Sequence, residues 1–338
     1  MEFYRLFKKI IGIKSPRIKL LMLAAGKLAG SRFIGIYVDP VMACNIRCRM
    51  CYFSDPASRP KPVGTMTREY METLRPVMKK ALKMQIGCGA EPTLYKNLAA
   101  LIAAGKEARV PFIEMTTNGQ LLTLENMREY CRAGLDGITL SLHGTTRDTY
   151  EYLMQGADFQ KFRNLLRTLS AIQKEFPRFK VRVNYTLNNL NKHELPGIWD
   201  LFEGVHIDTL QVRPIQKLGD TAYNDFLIDD YRTLITDIIE PLGQECRRRS
   251  TIALLPSAEN IERLNRKTTL ANALIEDITY CYVGPRSCYK EDFDPARESL
   301  SAFQRRTGLT RRLWKAIFTS ASEAETLDIN KTKKLNYS

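Results

Sequence analysis

The sequence predicts an α/β fold, a partial (β/α)6 TIM-like barrel of parallel strands followed by a mainly helical C-terminal extension. Two observations support this prediction. Six short apolar runs alternate with five helical patterns between residues 33 and 213, and the alternation stops after residue 213. Such alternation is typical of parallel strands joined by crossover helices.

Each predicted strand is rich in apolar and β-branched residues and lies between turn signals. The six runs cover residues 33–38, 83–87, 110–116, 137–142, 180–187 and 207–213. The helical patterns between them cover residues 68–82, 95–108, 124–133, 146–175 and 193–202, and two more are predicted at 231–249 and 257–274. Because parallel strands all end at one edge of the sheet, functional residues are expected just after each strand.

Charge divides the chain into three predicted regions: a basic amphipathic N-terminal extension (1–32), the barrel core (33–225) and a basic, largely helical C-terminal extension (226–338). The net charge of +14 is concentrated at the ends: residues 1–32 carry +7 and residues 301–338 carry +5. Such ends suit nucleic acid, an anionic membrane surface or an acidic protein partner. The N-terminal pattern is typical of an interfacial helix or of a helix packed on the body with its lysines in water.

Composition and cysteine usage predict the cellular setting. With 44% hydrophobic and 26% charged residues the chain resembles ordinary globular proteins. Eight cysteines in 338 residues are too sparse for a disulfide framework, and the first 30 residues do not read as a secretory signal because lysines interrupt them. We therefore expect a cytoplasmic protein with no transmembrane segment, in which cysteines serve metal binding or chemistry.

The strongest motif follows the first predicted strand. Cys44, Cys48 and Cys51 form a CxxxCxxC arrangement, a spacing that eight scattered cysteines would rarely produce by chance. Soft thiolate ligands select zinc, copper(I) or iron-sulfur clusters. A structural zinc site or a closed cluster takes four protein ligands, whereas this loop offers three. The motif therefore predicts a metal centre with an open coordination position.

In this position the motif resembles that of the radical SAM superfamily. The resemblance implies that the three cysteines hold a [4Fe-4S] cluster whose fourth iron binds S-adenosylmethionine (SAM). It also implies reductive cleavage of SAM to a 5'-deoxyadenosyl radical, which abstracts hydrogen from a substrate. In the family an aromatic residue usually precedes the third cysteine and its backbone lies near the adenine; here Met50 takes that place and keeps the apolar character. The electron would come from a donor such as a flavodoxin or ferredoxin, whose acidity suits the basic ends.

Two further loops resemble family motifs that bind SAM. After the second strand, Gly89, Ala90 and Glu91 resemble the GGE motif, with Ala90 in place of the second glycine. The resemblance implies that this loop binds the methionine ammonium through a backbone carbonyl and the carboxylate. After the third strand, Asn118 lies in a sequence that resembles the family's TNG turn. Both loops are therefore expected to bind the cofactor.

The fourth and fifth strands carry the remaining predicted cofactor residues. Ser141 matches a serine that in relatives contacts the methionine carboxylate or the ribose, and Asn184 matches an asparagine expected to face the cofactor. His143 stands where relatives have aspartate, so the family's account of that position does not transfer. A proton donor, a substrate contact and a turn residue are the alternatives for His143.

The C-terminal cysteines resemble only part of a SPASM or twitch domain. Cys281 and Cys288, with the distant Cys246, provide fewer than the four thiolates that an auxiliary cluster generally takes. We expect no complete auxiliary cluster; the Cys281–Cys288 pair is a remnant, a redox pair or part of another site. Cys88 and Cys131 are predicted to be small buried hydrophobes.

The leading functional hypothesis is a radical SAM enzyme acting on a peptide, a protein or a small molecule. No catalytic side chain is assigned. The first alternative is an RNA-modifying radical SAM enzyme, favoured by the charge but without a recognisable RNA-binding module. The second is a non-catalytic zinc-binding adaptor in which the three cysteines recruit a fourth ligand such as a histidine.

Overall fold

The structure is a computed structural model that describes residues 13, 15–56, 59, 63–215, 227–257, 268–318 and 326–327. Its centre is an eight-stranded, entirely parallel sheet in the order β7-β6-β5-β4-β3-β2-β1-β9. The strands are β1 Ile34–Val38, β2 Ala81–Ile86, β3 Ile113–Thr117, β4 Gly137–Leu142, β5 Lys180–Leu187, β6 Thr209–Pro214, β7 Ile252–Leu254 and β9 Tyr280–Val283. A separate antiparallel pair joins β8 (Thr268–Thr269) to β10 (Thr326–Leu327).

Helices follow most strands, as a barrel of crossover units requires. They are α1 Pro16–Leu28, α2 Arg68–Thr73, α3 Arg75–Met78, α4 Leu98–Glu107, α5 Leu124–Ala133, α6 Arg147–Leu153, α7 Phe159–Glu175, α8 Ile198–Leu201, α9 Tyr231–Thr233, α10 Glu240–Arg248, α11 Leu270–Thr279, α12 Leu300–Arg306 and α13 Leu309–Phe318. A π-helical turn, Leu234–Ile239, joins α9 to α10. Short 3-10 turns lie at Tyr52–Ser54, Pro92–Leu94 and Lys192–Gly197.

The predicted α/β class with parallel strands is confirmed, and β4, β5 and α5 have their predicted bounds. The prediction of one continuous helix at 146–175 was wrong, because this segment forms two helices, α6 and α7. The chain leaves α6 at Met154, passes Gly156 at a φ of 90°, and restarts where the Asp158 carboxylate caps the first turn of α7. The helix predicted at 68–82 ends at Met78, because residues 81 and 82 belong to β2.

The sheet is wider than the six predicted strands. β7 pairs with β6 at one edge, and β9 pairs with β1 at the other, so residues from the C-terminal region lie at both edges of the predicted six-strand core. β7 has three residues and β9 has four, lengths too short for a periodicity signal. Pairing of this kind protects strand edges that would otherwise expose their hydrogen-bonding groups.

The predicted terminal regions are only partly described. Residues 1–12, 14 and 328–338 lie outside the described residues, as do residues 258–267 of the helix predicted at 257–274. Within the N-terminal extension, α1 packs against α11 and α13 and buries Leu20, Leu23 and Ala24. Among the described helices, none has both the length and the apolar composition needed to span a membrane.

The two faces of the sheet differ in polarity. The outward residues of β4 and β5, such as Leu140 and Val183, are fully buried under helices. The inward residues are largely polar or charged: Tyr37, Gln85, Glu114, Thr116, Thr139, Ser141, Arg182, Asn184, Gln211 and Arg213. Because side chains alternate along a strand, these residues share one face. The sheet therefore has an apolar core on its outer side and a polar wall on its inner side.

A buried ion pair lies on the inner wall. Lys83 on β2 binds the Glu114 carboxylate on β3, and Thr139 on β4 donates a hydrogen bond to the same group. Burial alone would raise the pKa of Glu114, but the charges of Lys83 and Arg182 outweigh it and hold the pKa at about 2. Glu114 is therefore ionised at neutral pH and links three neighbouring strands.

Replacing Glu114 tests this link. Because the folded-state pKa of about 2 lies below the ordinary glutamate pKa of 4.5, the charge stabilises the fold above pH 4.5 and this contribution is lost as the pH falls towards 2. We expect Glu114→Gln to lower the free energy of unfolding by about 3 kcal/mol at pH 7 and by progressively less below pH 4.5. Denaturant titrations at several pH values measure the difference. The exposed Glu129→Gln serves as control, and a Glu114→Gln penalty independent of pH contradicts the ion pair.

Candidate radical SAM site

The cysteine loop lies directly after β1 and is held by backbone contacts. The Arg47 guanidinium donates to the Cys44 carbonyl at 2.7 Å, and the Ser54 hydroxyl donates to the Cys48 carbonyl at 2.5 Å. The Cys51 amide donates to the same Cys48 carbonyl at 3.0 Å, so the loop turns back on itself between its second and third cysteines. All three cysteines are partly buried and none forms a disulfide. The loop thus presents three thiols from one short segment.

Burial governs the protonation of these thiols. It raises the pKa of Cys44 to about 11 and raises the pKa of Cys48 and Cys51, with mutual thiolate repulsion adding to the effect at Cys48. Within the described residues, no group of three or more His, Cys, Asp or Glu side chains converges as a site for a single metal ion. A cubane cluster does not require the three sulfurs to converge on one metal ion, because each thiolate binds a different iron of the cluster.

Asp39 joins the end of β1 to the loop after β2. Its carboxylate is buried and accepts hydrogen bonds from the backbone amides of Cys88 at 2.7 Å and Gly89 at 3.0 Å, with Ala90 at 3.3 Å. The Tyr282 hydroxyl on β9 donates to the same carboxylate at 2.9 Å. Burial raises the pKa of Asp39, and these donors oppose the rise. The Asp39 carboxylate therefore holds three consecutive backbone amides of the GGE-like loop in place.

The GGE-like loop also contacts the segment that follows the third cysteine. The Tyr52 hydroxyl donates to the Gly89 carbonyl at 2.6 Å. A Cβ at position 89 would lie 2.5 Å from this hydroxyl, so the close approach requires glycine there. The cysteine loop and the predicted SAM loop are thus in direct contact.

Glu91 holds the next pair of loops together. Its carboxylate is buried and accepts hydrogen bonds from the Thr93 hydroxyl at 2.6 Å, the Thr117 hydroxyl at 2.7 Å and the Asn118 amide at 2.9 Å. The Glu91 amide in turn donates to the Ala43 carbonyl beside Cys44. In this structure the carboxylate therefore positions the loops; its contact with the methionine ammonium stays a prediction.

Asn118 lies between the TNG-like turn and the cysteine loop. Its amide nitrogen donates to the Asn45 side-chain oxygen at 2.9 Å and lies 3.8 Å from the Cys44 sulfur. Its side-chain oxygen accepts from the Gln120 amide at 2.9 Å. A donor directed at a cysteine sulfur is the kind of contact that tunes a thiolate ligand.

Two buried side-chain atoms, His143 Nδ1 directly after β4 and Asn184 Oδ1 on β5, have no hydrogen-bond partner within the described part of the chain. Asn184 pairs in register with Ser141 on β4 and with Gln211 on β6, so the three side chains lie in one row. Burial lowers the pKa of His143 to about 4, which makes it neutral at physiological pH. Unsatisfied buried polar atoms are costly, and a bound ligand or water on the inner wall would give these two atoms a partner.

Met50 lies within the cysteine loop, directly before Cys51. Its side chain is buried beside Leu153 and Ile215, and its sulfur accepts a hydrogen bond from the Asn188 amide at 3.1 Å. Asn188 is fully buried and follows β5, two positions beyond the last inward residue of that strand. The backbone contact of Met50 with adenine stays a prediction.

The C-terminal cysteines fall into two places. The sulfurs of Cys281 on β9 and Cys288 lie 3.9 Å apart and are buried. Cys246 is buried in α10, which packs on β7 at the other edge of the sheet. These three thiols therefore do not form one site. The predicted buried hydrophobes Cys88 and Cys131 are both partly buried.

A cavity of about 780 Å³ lies away from these loops. It is lined by residues before β6 and around the end of α10, including Trp199, His206 and Arg249. Because these residues precede the strand, the cavity is at the N-terminal edge of the sheet. It does not contain any of the predicted cofactor residues.

The residues present fit the predicted cofactors. Cys44, Cys48 and Cys51 supply three soft ligands with an apolar surround, the glycine loop exposes backbone at close range, and the unpartnered atom of Asn184 lies on the same wall. These features match the site expected of an iron-sulfur enzyme and lie on a parallel α/β partial barrel.

Comparison with known proteins finds a family that matches residues 39–200 of the chain. This family is the Radical SAM superfamily. A probable GTP 3',8-cyclase of Saccharolobus solfataricus is 28% identical over 211 residues, which cover 60% of this chain and 63% of that protein. The chain thus spans less than two thirds of that relative's length. The part of the chain that contains the three cysteines is therefore similar to the radical SAM superfamily, whose members use a [4Fe-4S] cluster and SAM.

Solved structures show the same fold. SuiB of Streptococcus suis bound to S-adenosylmethionine superposes with a TM-score of 0.59 at 16% identity, over 78% of this chain and 61% of SuiB. Native anSMEcpe with bound AdoMet superposes with a TM-score of 0.59 at 14% identity, over 85% of this chain and 84% of that chain. At this identity the likeness supports the partial barrel alone.

Sequence reasoning missed Asp39, Tyr52, Tyr282 and Asn188. Asp39 carries a usable signal, because an acidic residue directly after a buried strand faces the edge at which loops meet. Tyr282 carries none, because its role depends on the unpredicted pairing of β9 with β1.

Asp39→Asn tests the support of the SAM loop. The amide places a donor against backbone donors, so we expect the dissociation constant for SAM to rise at least about tenfold, because charge-assisted hydrogen bonds are lost. Equilibrium dialysis of anaerobically reconstituted protein measures the affinity, and iron analysis should show unchanged cluster content. Tyr282→Phe removes one donor and should have a smaller effect. Wild-type affinity in Asp39→Asn contradicts this role.

Proposed function

We propose that this radical SAM enzyme cleaves SAM reductively and abstracts hydrogen from a polar small molecule or peptide bound along the inner wall. The observation that carries the proposal is the arrangement at one edge of the sheet, where the cysteine loop contacts the GGE-like loop through Tyr52 and the TNG-like turn through Asn118. When bound, the reduced cluster supplies the electron that breaks a C–S bond of SAM and gives the 5'-deoxyadenosyl radical.

Each loop has a role in this proposal. Cys44, Cys48 and Cys51 hold the cluster, and the backbone of Gly89 and Ala90 binds the methionine end of SAM. Asn118 and Glu91 keep these loops in register through their hydrogen bonds. Ser141 and Asn184 bind the nucleoside end, supported by the unpartnered Asn184 oxygen. Met50 packs beside the adenine. The core that carries them is proposed to span residues 33–225.

The inner wall supports a polar substrate. It carries Lys83, Arg182 and Arg213 against one acid, Glu114, so these inward side chains have a positive balance. An apolar substrate would leave such groups desolvated without compensation. His143, neutral and with an unpartnered Nδ1, lies two residues beyond Ser141 and is proposed to accept a hydrogen bond from the substrate.

The relatives also favour a polar substrate. Several are named GTP 3',8-cyclase, and one similar fold was solved with a precursor peptide. Neither name transfers to this chain, because the alignment spans only part of those proteins. The reductant is proposed to be an acidic flavodoxin or ferredoxin that meets the basic surface of the chain.

Anaerobic reconstitution tests the proposal. We expect about four iron and four sulfide per chain, and 5'-deoxyadenosine on addition of SAM and dithionite. Zinc without sulfide would instead favour the adaptor hypothesis, and a SAM-binding cluster that yields no deoxyadenosine would contradict the catalysis. Co-purified RNA that is released at moderate salt would favour the RNA alternative.

Cys48→Ala tests the ligand assignment. We expect loss of cluster assembly with retention of the fold, because the core consists mainly of apolar strands and helices and Cys48 is one of many side chains packed against it. Iron content and circular dichroism measure the two outcomes. Cys131→Ala, a cysteine on α5 remote from the loop in sequence, should keep its cluster. A SAM-competent cluster in Cys48→Ala contradicts the assignment.

A further inference from the structure

The solvent-facing side of α1 is apolar. Ile18, Leu21, Met22 and Leu28 are 49%, 50%, 49% and 76% exposed. The spacing of 18, 21, 22, 25 and 28 places these residues and the exposed Ala25 on one side of the helix. We call this set the α1 outer face.

This face is unusual for the molecule. The exposed positions of α7, the longest described helix, are all polar or charged, and include Lys161, Arg163 and Arg167. α1 already buries its other side through Leu20, Leu23 and Ala24. A helix that is apolar on both sides is typically covered on both. The α1 outer face therefore points to an apolar partner.

The surroundings of the face are basic. Lys27 is held on the inner side of α1 by Gln304 of α12 and lies 4.4 Å from the Phe33 ring centre. α13, which packs against α1, exposes Arg311, Arg312 and Lys315 together with Phe318, which is 78% exposed. Among the described residues 15–32, Arg17, Lys19, Lys27 and Arg32 are basic and none is acidic. Apolar side chains within a positively charged surround match the two attractions of an anionic lipid surface.

We propose that the α1 outer face, with the basic side of α13, docks the enzyme on an anionic membrane surface. The helix lies in the plane of the interface, with its apolar side chains among the acyl chains and the arginines and lysines at the phosphates. No spanning segment is involved. This docking is independent of the proposed function, because it uses none of the cofactor-binding residues.

Vesicle co-sedimentation tests the proposal with the full chain. The wild type should sediment with vesicles of phosphatidylcholine and phosphatidylglycerol at low salt, and markedly less with phosphatidylcholine alone or at high salt. Leu21→Gln with Met22→Gln should weaken partitioning at least about tenfold, because two half-exposed apolar side chains are lost while helix propensity is kept. Arg311→Glu with Lys315→Glu should remove the preference for anionic vesicles.

The controls separate this surface from other causes. Leu121→Gln with Leu190→Gln removes two apolar side chains that are 41% and 45% exposed elsewhere, and should bind as the wild type does. Circular dichroism should show all variants folded. Wild-type binding by Leu21→Gln with Met22→Gln overturns the proposal, as does a wild type that shows no preference for anionic vesicles. A dimer in sedimentation velocity that the same double variant dissociates, without vesicle binding, also overturns it.

Discussion

The site depends on buried carboxylates that bind backbone amides where strands end. Asp39 accepts amides of the loop after β2, and Glu91 accepts the amide of Asn118 after β3. A parallel sheet brings loops to one edge but leaves their shapes undetermined, because loops lack the ladder hydrogen bonds of strands. The two carboxylates supply the missing acceptors and give neighbouring loops one shared geometry. Loss of either carboxylate would leave the backbone amides that it binds without an acceptor and would free the loop that carries them.

Polarity is distributed so that stability and chemistry occupy different sides of the sheet. The outer side buries aliphatic residues under the helices, whereas the inner side holds Glu114, Arg182 and their neighbours. Buried charges of this kind contribute little net stability compared with an apolar core of similar volume. Their retention fits the polar substrate that we propose for this wall. The unpartnered atoms of His143 and Asn184 lie on this same wall.

The sequence was sufficient where a signal is local. β4 and β5 are bounded by turn residues and have strict periodicity, and the three cysteines lie within eight residues, so both were predictable. The break near Gly156 was missed because apolar spacing continues across it. β9 was missed because four residues carry no pattern and their partner lies more than 240 positions earlier. Asp39 acquires its role only through contacts with a distant loop and with Tyr282.

The pairing of β9 with β1 has a consequence for assembly of the protein. Synthesis runs from the N-terminus, so the cysteine segment emerges long before Tyr280–Val283, which flanks the strand that leads into it. Until those late residues are made, Asp39 lacks its tyrosine donor and β1 has an open edge. A nascent chain that has not reached β9 would therefore present the cysteine loop beside a β1 edge that has no β9 partner. The tyrosine contact that supports the GGE-like loop can therefore form only after β9 has been synthesised.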